Sequence, residues 1–146
     1  MAKTETPGGM SQEEKDAVKA RAKELREQAK AGKNREAGEK AVAEAIAELS
    51  EEDKVLAEGL RKVVSEVAPE LVPKTYYGMP GYANADGKIV VFIQPASKFK
   101  TRYSTLGFEA PANLDDGDMW ATAFALIAWT PETEKRIAEL VASAIA

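Results

Sequence analysis

The segment Tyr82-Ala83-Asn84-Ala85-Asp86-Gly87-Lys88-Ile89-Val90-Val91-Phe92-Ile93 decides the fold class. Asp86-Gly87 is a tight-turn dipeptide, so it predicts a hairpin that folds Tyr82-Ala83 back on Lys88–Ile93. The second arm is apolar at nearly every position and reads as a central strand. Further along, Arg102–Phe108 alternates as a strand does, and Trp120–Ile127 sets Trp120, Thr122, Phe124 and Leu126 on one side with small alanines on the other. Upstream, Lys74–Gly78 and Gly81–Ala83 read as extended, interrupted at Met79-Pro80, where proline requires an edge, a bulge or a bend. All four tyrosines, all four phenylalanines and both tryptophans lie between Tyr76 and Trp129, so the strands are segregated from what precedes them.

What precedes them is helical. Ser50, with Asp53 three residues on, opens a helix whose Val55, Leu56, Leu60, Val63, Val64 and Val67 form one wide apolar face before Pro69. Asn34 caps an earlier helix running to about Leu49, with Ala41, Val42, Ala45, Ile46 and Leu49 at helical spacing. Ser11 and Glu14 have the form of a capping box for a helix from about Gln12 to about Lys30. Its stripe is thin and mostly alanine, which suits peripheral packing or a partner. Beyond the strands, Thr130 caps a last helix with Pro131 at its first position, Glu132 and Glu134 in its first turn, and Ile137, Leu140 and Val141 on its buried face. The expectation is an α+β fold, an antiparallel sheet flanked by helices, with a helical N-terminal half and a C-terminal helix. Residues 1–10 read as a flexible tail, 11–49 as an N-terminal helical extension and 50–146 as the α+β domain.

Composition narrows the chemistry. The 146 residues contain no cysteine and no histidine, which excludes disulfides, thiol nucleophiles, histidine-based triads and imidazole metal ligands. With 24 acidic against 20 basic side chains, the net charge of −4 argues against nucleic acid as a partner. No apolar run approaches a membrane span and no secretory leader is evident, so the expected location is cytoplasmic. There is no phosphate-binding glycine loop and no catalytic constellation.

The least generic stretch is Pro69–Tyr82, where tyrosines and a methionine crowd a glycine and a proline. Tyr77, Met79, Pro80 and Tyr82 are the material of a pocket wall, although Gly78 and Pro80 could equally make only a bend while Tyr76 and Tyr82 fill the core. Lys98 and Arg102, with Lys100 between them, would lie on one side of an extended chain and could hold an anionic ligand; the alternative is a solvated strand edge. Thr75-Tyr76-Tyr77-Gly78-Met79-Pro80, preceded by Ala68-Pro69-Glu70 and followed by the Asp86-Gly87 hairpin, resembles the signature of the YdhG-like family of small bacterial domains. Phe92–Tyr103 and Leu114–Trp120 are similar to one branch of it. The resemblance runs from about Ser50 onward. It implies a compact domain related to frataxin-like folds, some relatives of which act as iron chaperones delivering Fe(II).

Without histidine or cysteine, a labile Fe(II) would sit on carboxylates. Asp115, Asp116 and Asp118 around Gly117 are the candidate metal ligands, and they are equally what turns are made of. Glu51-Glu52-Asp53 has a sufficient structural reason in the dipole of the helix it begins. From Ser11 to Arg35 there are eight basic and five acidic residues, and this helical extension is the candidate surface for a homodimer or a protein partner. The expected function is therefore non-enzymatic binding of a small ligand or metal, with frataxin-like iron handling as its concrete form. A protein-interaction module comes second and an enzyme acting on an anionic metabolite third.

Overall fold

The computed structural model describes residues 10–31 and 35–146. In chain order they form α1 (Gln12–Ala31), α2 (Arg35–Ala47), α3 (Glu51–Val67), β1 (Val72–Pro73), β2 (Gly81–Ala83), β3 (Ile89–Gln94), α4 (Ala96–Phe99), β4 (Ser104–Phe108), β5 (Ala123–Leu126) and α5 (Pro131–Ala144). The fold is α+β. Its five strands form one antiparallel meander in the order β1-β2-β3-β4-β5. The expected tail, apart from Met10, and the expected Asn34 cap lie outside the described residues.

The start signals act through the predicted atoms. Ser11 and Glu14 exchange hydrogen bonds, Ser50 Oγ accepts the Asp53 N–H at 3.2 Å, and Thr130 Oγ1 accepts the Thr133 N–H at 3.1 Å. The Asp86-Gly87 hairpin also forms. Asn84 Oδ1 accepts from the Asp86 and Lys88 N–H groups, Gly87 takes a φ of 78°, and Tyr82 pairs with Val91.

One face of the sheet is the core. Tyr82, Val91, Ile93, Leu106 and Leu126 are packed there with Leu56, Leu60, Val63 and Val64 of α3 and with Ile137 and Val141 of α5. Such burial stabilises at roughly 25 cal/mol per Å² of apolar surface. Helix α2 adds Val42 and Ile46, and its Gly38 lies so close to Pro73 that a Cβ would stand 2.0 Å from the Pro73 carbonyl oxygen. The other face is thinner. There the Phe92 ring covers Gly107, and Tyr76 packs on Phe92 with centroids 5.2 Å apart.

Three expectations are corrected. The break in the first extended segment is not at Met79-Pro80 but at Tyr77-Gly78, and the upstream strand is Val72–Pro73 rather than Lys74–Gly78. Lys98, Lys100 and Arg102 do not share one side of a strand. Ala96–Phe99 is a helical turn whose free N–H groups are taken by Asp53 and by Ser104 Oγ, and Lys100 ends it in the left-handed region at φ 56°. Finally, only Ala123–Leu126 of Trp120–Ile127 is strand, because β4, its sole neighbour in the sheet, is five residues long. Phe124 and Leu126 face inward as expected, whereas Trp120 and Thr122 are exposed.

Candidate functional site

Tyr76 and Met79 exchange backbone hydrogen bonds in both directions, at 2.8 and 2.9 Å, so Tyr77 and Gly78 are the two central residues of a tight turn. Both have positive φ, 52° and 79°, the geometry that two-residue hairpins require. Glycine meets that requirement without strain; Tyr77 meets it at a cost. The consequence is that two consecutive N–H groups are left over on one side of the turn, a concavity of donors suited to an anion.

An anion fills it from within the chain. The carboxylate of Glu24 on α1 accepts from both: Oε2 from the Tyr77 N–H at 2.9 Å and Oε1 from the Gly78 N–H. Its side chain is 10% exposed, and Arg21 Nη1, one helical turn earlier, is 3.5 Å from it. The Arg21 guanidinium lies 5.2 Å from the centroids of both Tyr76 and Tyr77, whose rings meet edge to face. Lys98 Nζ on α4 donates to the Gly78 carbonyl at 3.1 Å, so Gly78 is held at both its N–H and its carbonyl.

Around this point further polar side chains pair. The Tyr76 hydroxyl donates to Glu109 at 2.8 Å; burial and that bond push its pKa up to about 12 and keep the phenol protonated. Lys100 reaches Glu13 of α1 at 2.9 Å, and this contact lowers the Glu13 pKa and raises that of Lys100. Between α1, α2 and α4 runs an open cleft of about 550 Å³, bordered by Glu24, Glu27, Glu44, Glu48, Asp53 and Lys98. Of its charged lining residues five are acidic and two, Lys23 and Lys98, are basic.

The residues singled out from the sequence separate into three groups. Tyr77 and Lys98 meet at the turn, through Gly78. Met79, Pro80 and Tyr82 are buried: Tyr82 is 1% exposed, burial raises the pKa of its hydroxyl, and that hydroxyl has no hydrogen-bond partner. They are core, the bend-and-fill alternative, and do not line a surface. Arg102 is exposed and rests on the Tyr103 ring, 5.2 Å from its centroid, away from the turn. Asp115, Asp116 and Asp118 are exposed in the loop before β5, and among the described residues no three acidic side chains gather closely enough to hold a metal ion.

Sequence reasoning missed Glu24, Arg21 and Glu109, and read Asp53 only as part of the acidic first turn of α3. Asp53 is 4% exposed and receives the Ser97 N–H at 3.1 Å, anchoring α4 to the start of α3 and so setting the position of Lys98. Arg21 and Glu24 stand three apart on a helix, a spacing that puts them side by side, but nothing local announces a turn 53 residues away as their partner.

The fold and the turn define a small α+β domain with a backbone site for one carboxylate. Comparison with protein-family models, with curated proteins and with solved structures finds no match. Among the described residues no helix is long and apolar enough to cross a membrane.

Proposed function

We propose that this chain is a non-enzymatic binding domain and that the turn of its YdhG-like segment, Tyr77-Gly78, is the receptor for a small carboxylate ligand. One observation carries the reading: Glu24 sets one carboxylate oxygen against each of two consecutive N–H groups. Backbone donors in such an array recognise carboxylates elsewhere in proteins, as in the capture of terminal carboxylates. The site's other features agree with binding rather than turnover. Lys98 donates to a carbonyl, and the Tyr76 phenol is held protonated and so does not stand ready as a base. Among the described residues no carboxylate set gathers as the iron-handling form would need, and we therefore take the turn as the site in preference to Asp115, Asp116 and Asp118.

The test is an amide NMR titration with sodium acetate, on the unchanged chain and on Glu24→Gln, with sodium chloride at equal ionic strength as control. Saturable movement of the Tyr77 and Gly78 amides with acetate, in either chain, supports the site. No movement in both chains, or identical movement with chloride, refutes it.

A further inference from the structure

Helix α1 is attached unlike the rest of the fold. None of its described residues is fully buried, none belongs to the core cluster, and Val18 and Leu25 point outward at 48% and 51% exposure. What holds it is polar. Glu24 sits in the turn, Gln28 Nε2 donates to the Thr75 carbonyl at 3.2 Å, Glu13 meets Lys100, and Arg21 lies over two tyrosine rings. Each of these contacts can exchange with water, and because no described α1 residue belongs to the core cluster, release of α1 uncovers the Tyr76 and Tyr77 rings and leaves the core intact.

The two residues at the centre of that attachment have a chemical identity of their own. Arg21 offers a cation to the faces of Tyr76 and Tyr77, and Glu24, beside it, offers a carboxylate to the two N–H groups. Arg21 Nη1 is buried without a hydrogen bond, so it is held by ring faces and by the charge of Glu24, not by directed acceptors. We propose, resting on the carboxylate reading above, that Arg21 and Glu24 are an internal stand-in for the ligand, a small zwitterion that joins a carboxylate to a cationic group, and that α1 is a strap this ligand displaces. The surroundings select the same class. After α1 leaves, Glu44, Glu48, Asp53 and Lys98 still border the cleft, and three carboxylates against one ammonium favour a cation over a multiply charged anion such as a phosphate ester. The tyrosine faces favour the cation as well.

A strap that occupies its own site lowers the apparent affinity by the fraction of time the site is open. Weakening the strap must therefore tighten binding. The experiment uses the full chain, unchanged and as Glu24→Gln, titrated with L-arginine, with acetate as the carboxylate alone and methylguanidinium as the cation alone. Binding is read at the Tyr77 and Gly78 amides and release of α1 by hydrogen exchange. The expected result is arginine binding about tenfold tighter to Glu24→Gln than to the unchanged chain, arginine tighter than either half, and faster exchange across α1 when arginine saturates the unchanged chain. Lys100→Gln loosens the strap at Glu13 without touching the turn and should tighten arginine binding in the same direction. Equal arginine affinity in all three chains with unaltered exchange overturns the strap while leaving the carboxylate reading in place. Arginine no tighter than acetate in Glu24→Gln overturns the zwitterion. No response at Tyr77 and Gly78 to any probe in any chain removes the carboxylate reading itself, and the strap with it.

Discussion

Replacing Gly78 with alanine strains the turn on which the site depends. At φ 79° an L-residue in the left-handed region costs about 1–2 kcal/mol. The added Cβ would stand 3.1 Å from Lys98 Nζ and 3.5 Å from the Ala20 Cβ. The first neighbour is the tip of a flexible side chain and swings aside, giving up its bond to the Gly78 carbonyl; the second is at ordinary contact distance. Backbone strain therefore dominates, and the expected loss is about 1–2 kcal/mol, which for a domain of this size lowers Tm by roughly 3–8 °C. Thermal unfolding followed by circular dichroism measures it. Gly117→Ala serves as reference, since its φ of 69° imposes similar strain with nothing within 4 Å of the new Cβ. The two variants should lose similar stability, but only Gly78→Ala should speed hydrogen exchange in α1, because only its turn holds Glu24. A Gly78→Ala chain that melts with the unchanged protein and keeps α1 protected would refute the left-handed turn and everything built on it.

Tyr82→Phe removes a buried hydroxyl that has no partner, so urea unfolding should show no loss, or a gain of up to about 1 kcal/mol; a clear loss would mean that the hydroxyl is bonded. Gly59→Ala brings a Cβ within 2.4 Å of the Trp129 indole, and the overpacking cost of about 1–3 kcal/mol should exceed the helix-propensity gain of about 1 kcal/mol. A net loss of stability with altered tryptophan fluorescence is expected, and a stabilised variant would contradict that packing. For alkaline pH the sign follows from linkage. Tyr76 binds its proton more tightly folded than unfolded, so its contribution is complete below pH 10 and is lost as pH rises through about 12, with Tyr82 acting in the same direction. Denaturant midpoints should fall over that range, and less steeply in Tyr76→Phe.

Much of the fold was legible because its signals are local. Capping residues announced α1, α3 and α5 at their observed starts, and Asp86-Gly87 announced the β2–β3 hairpin, because each of these motifs bonds within three or four residues of itself. The misread segments are those decided at long range. Ala96–Phe99 is helical because Asp53, 44 residues earlier, takes up the Ser97 N–H, and an extended reading of Lys98–Arg102 had no way to include that partner.

The site was legible only in part, for a different reason. The side chains legible in the sequence are tyrosines, lysines and aspartates, among them Tyr77 and Lys98; yet the groups that donate to the carboxylate are the Tyr77 and Gly78 backbone N–H groups, which every non-proline residue possesses. What sets them apart is the turn geometry, and the carboxylate of Glu24 on α1 occupies them. The burial of Met79, Pro80 and Tyr82 anchors the base of this hairpin in the core, and that anchoring holds the two donors at its tip in place against Glu24. Pre-organised donors are already desolvated by Glu24, so a competing carboxylate exchanges one set of hydrogen bonds for an equal set. The balance between them is settled by what else the ligand carries to the tyrosine faces and the acidic wall.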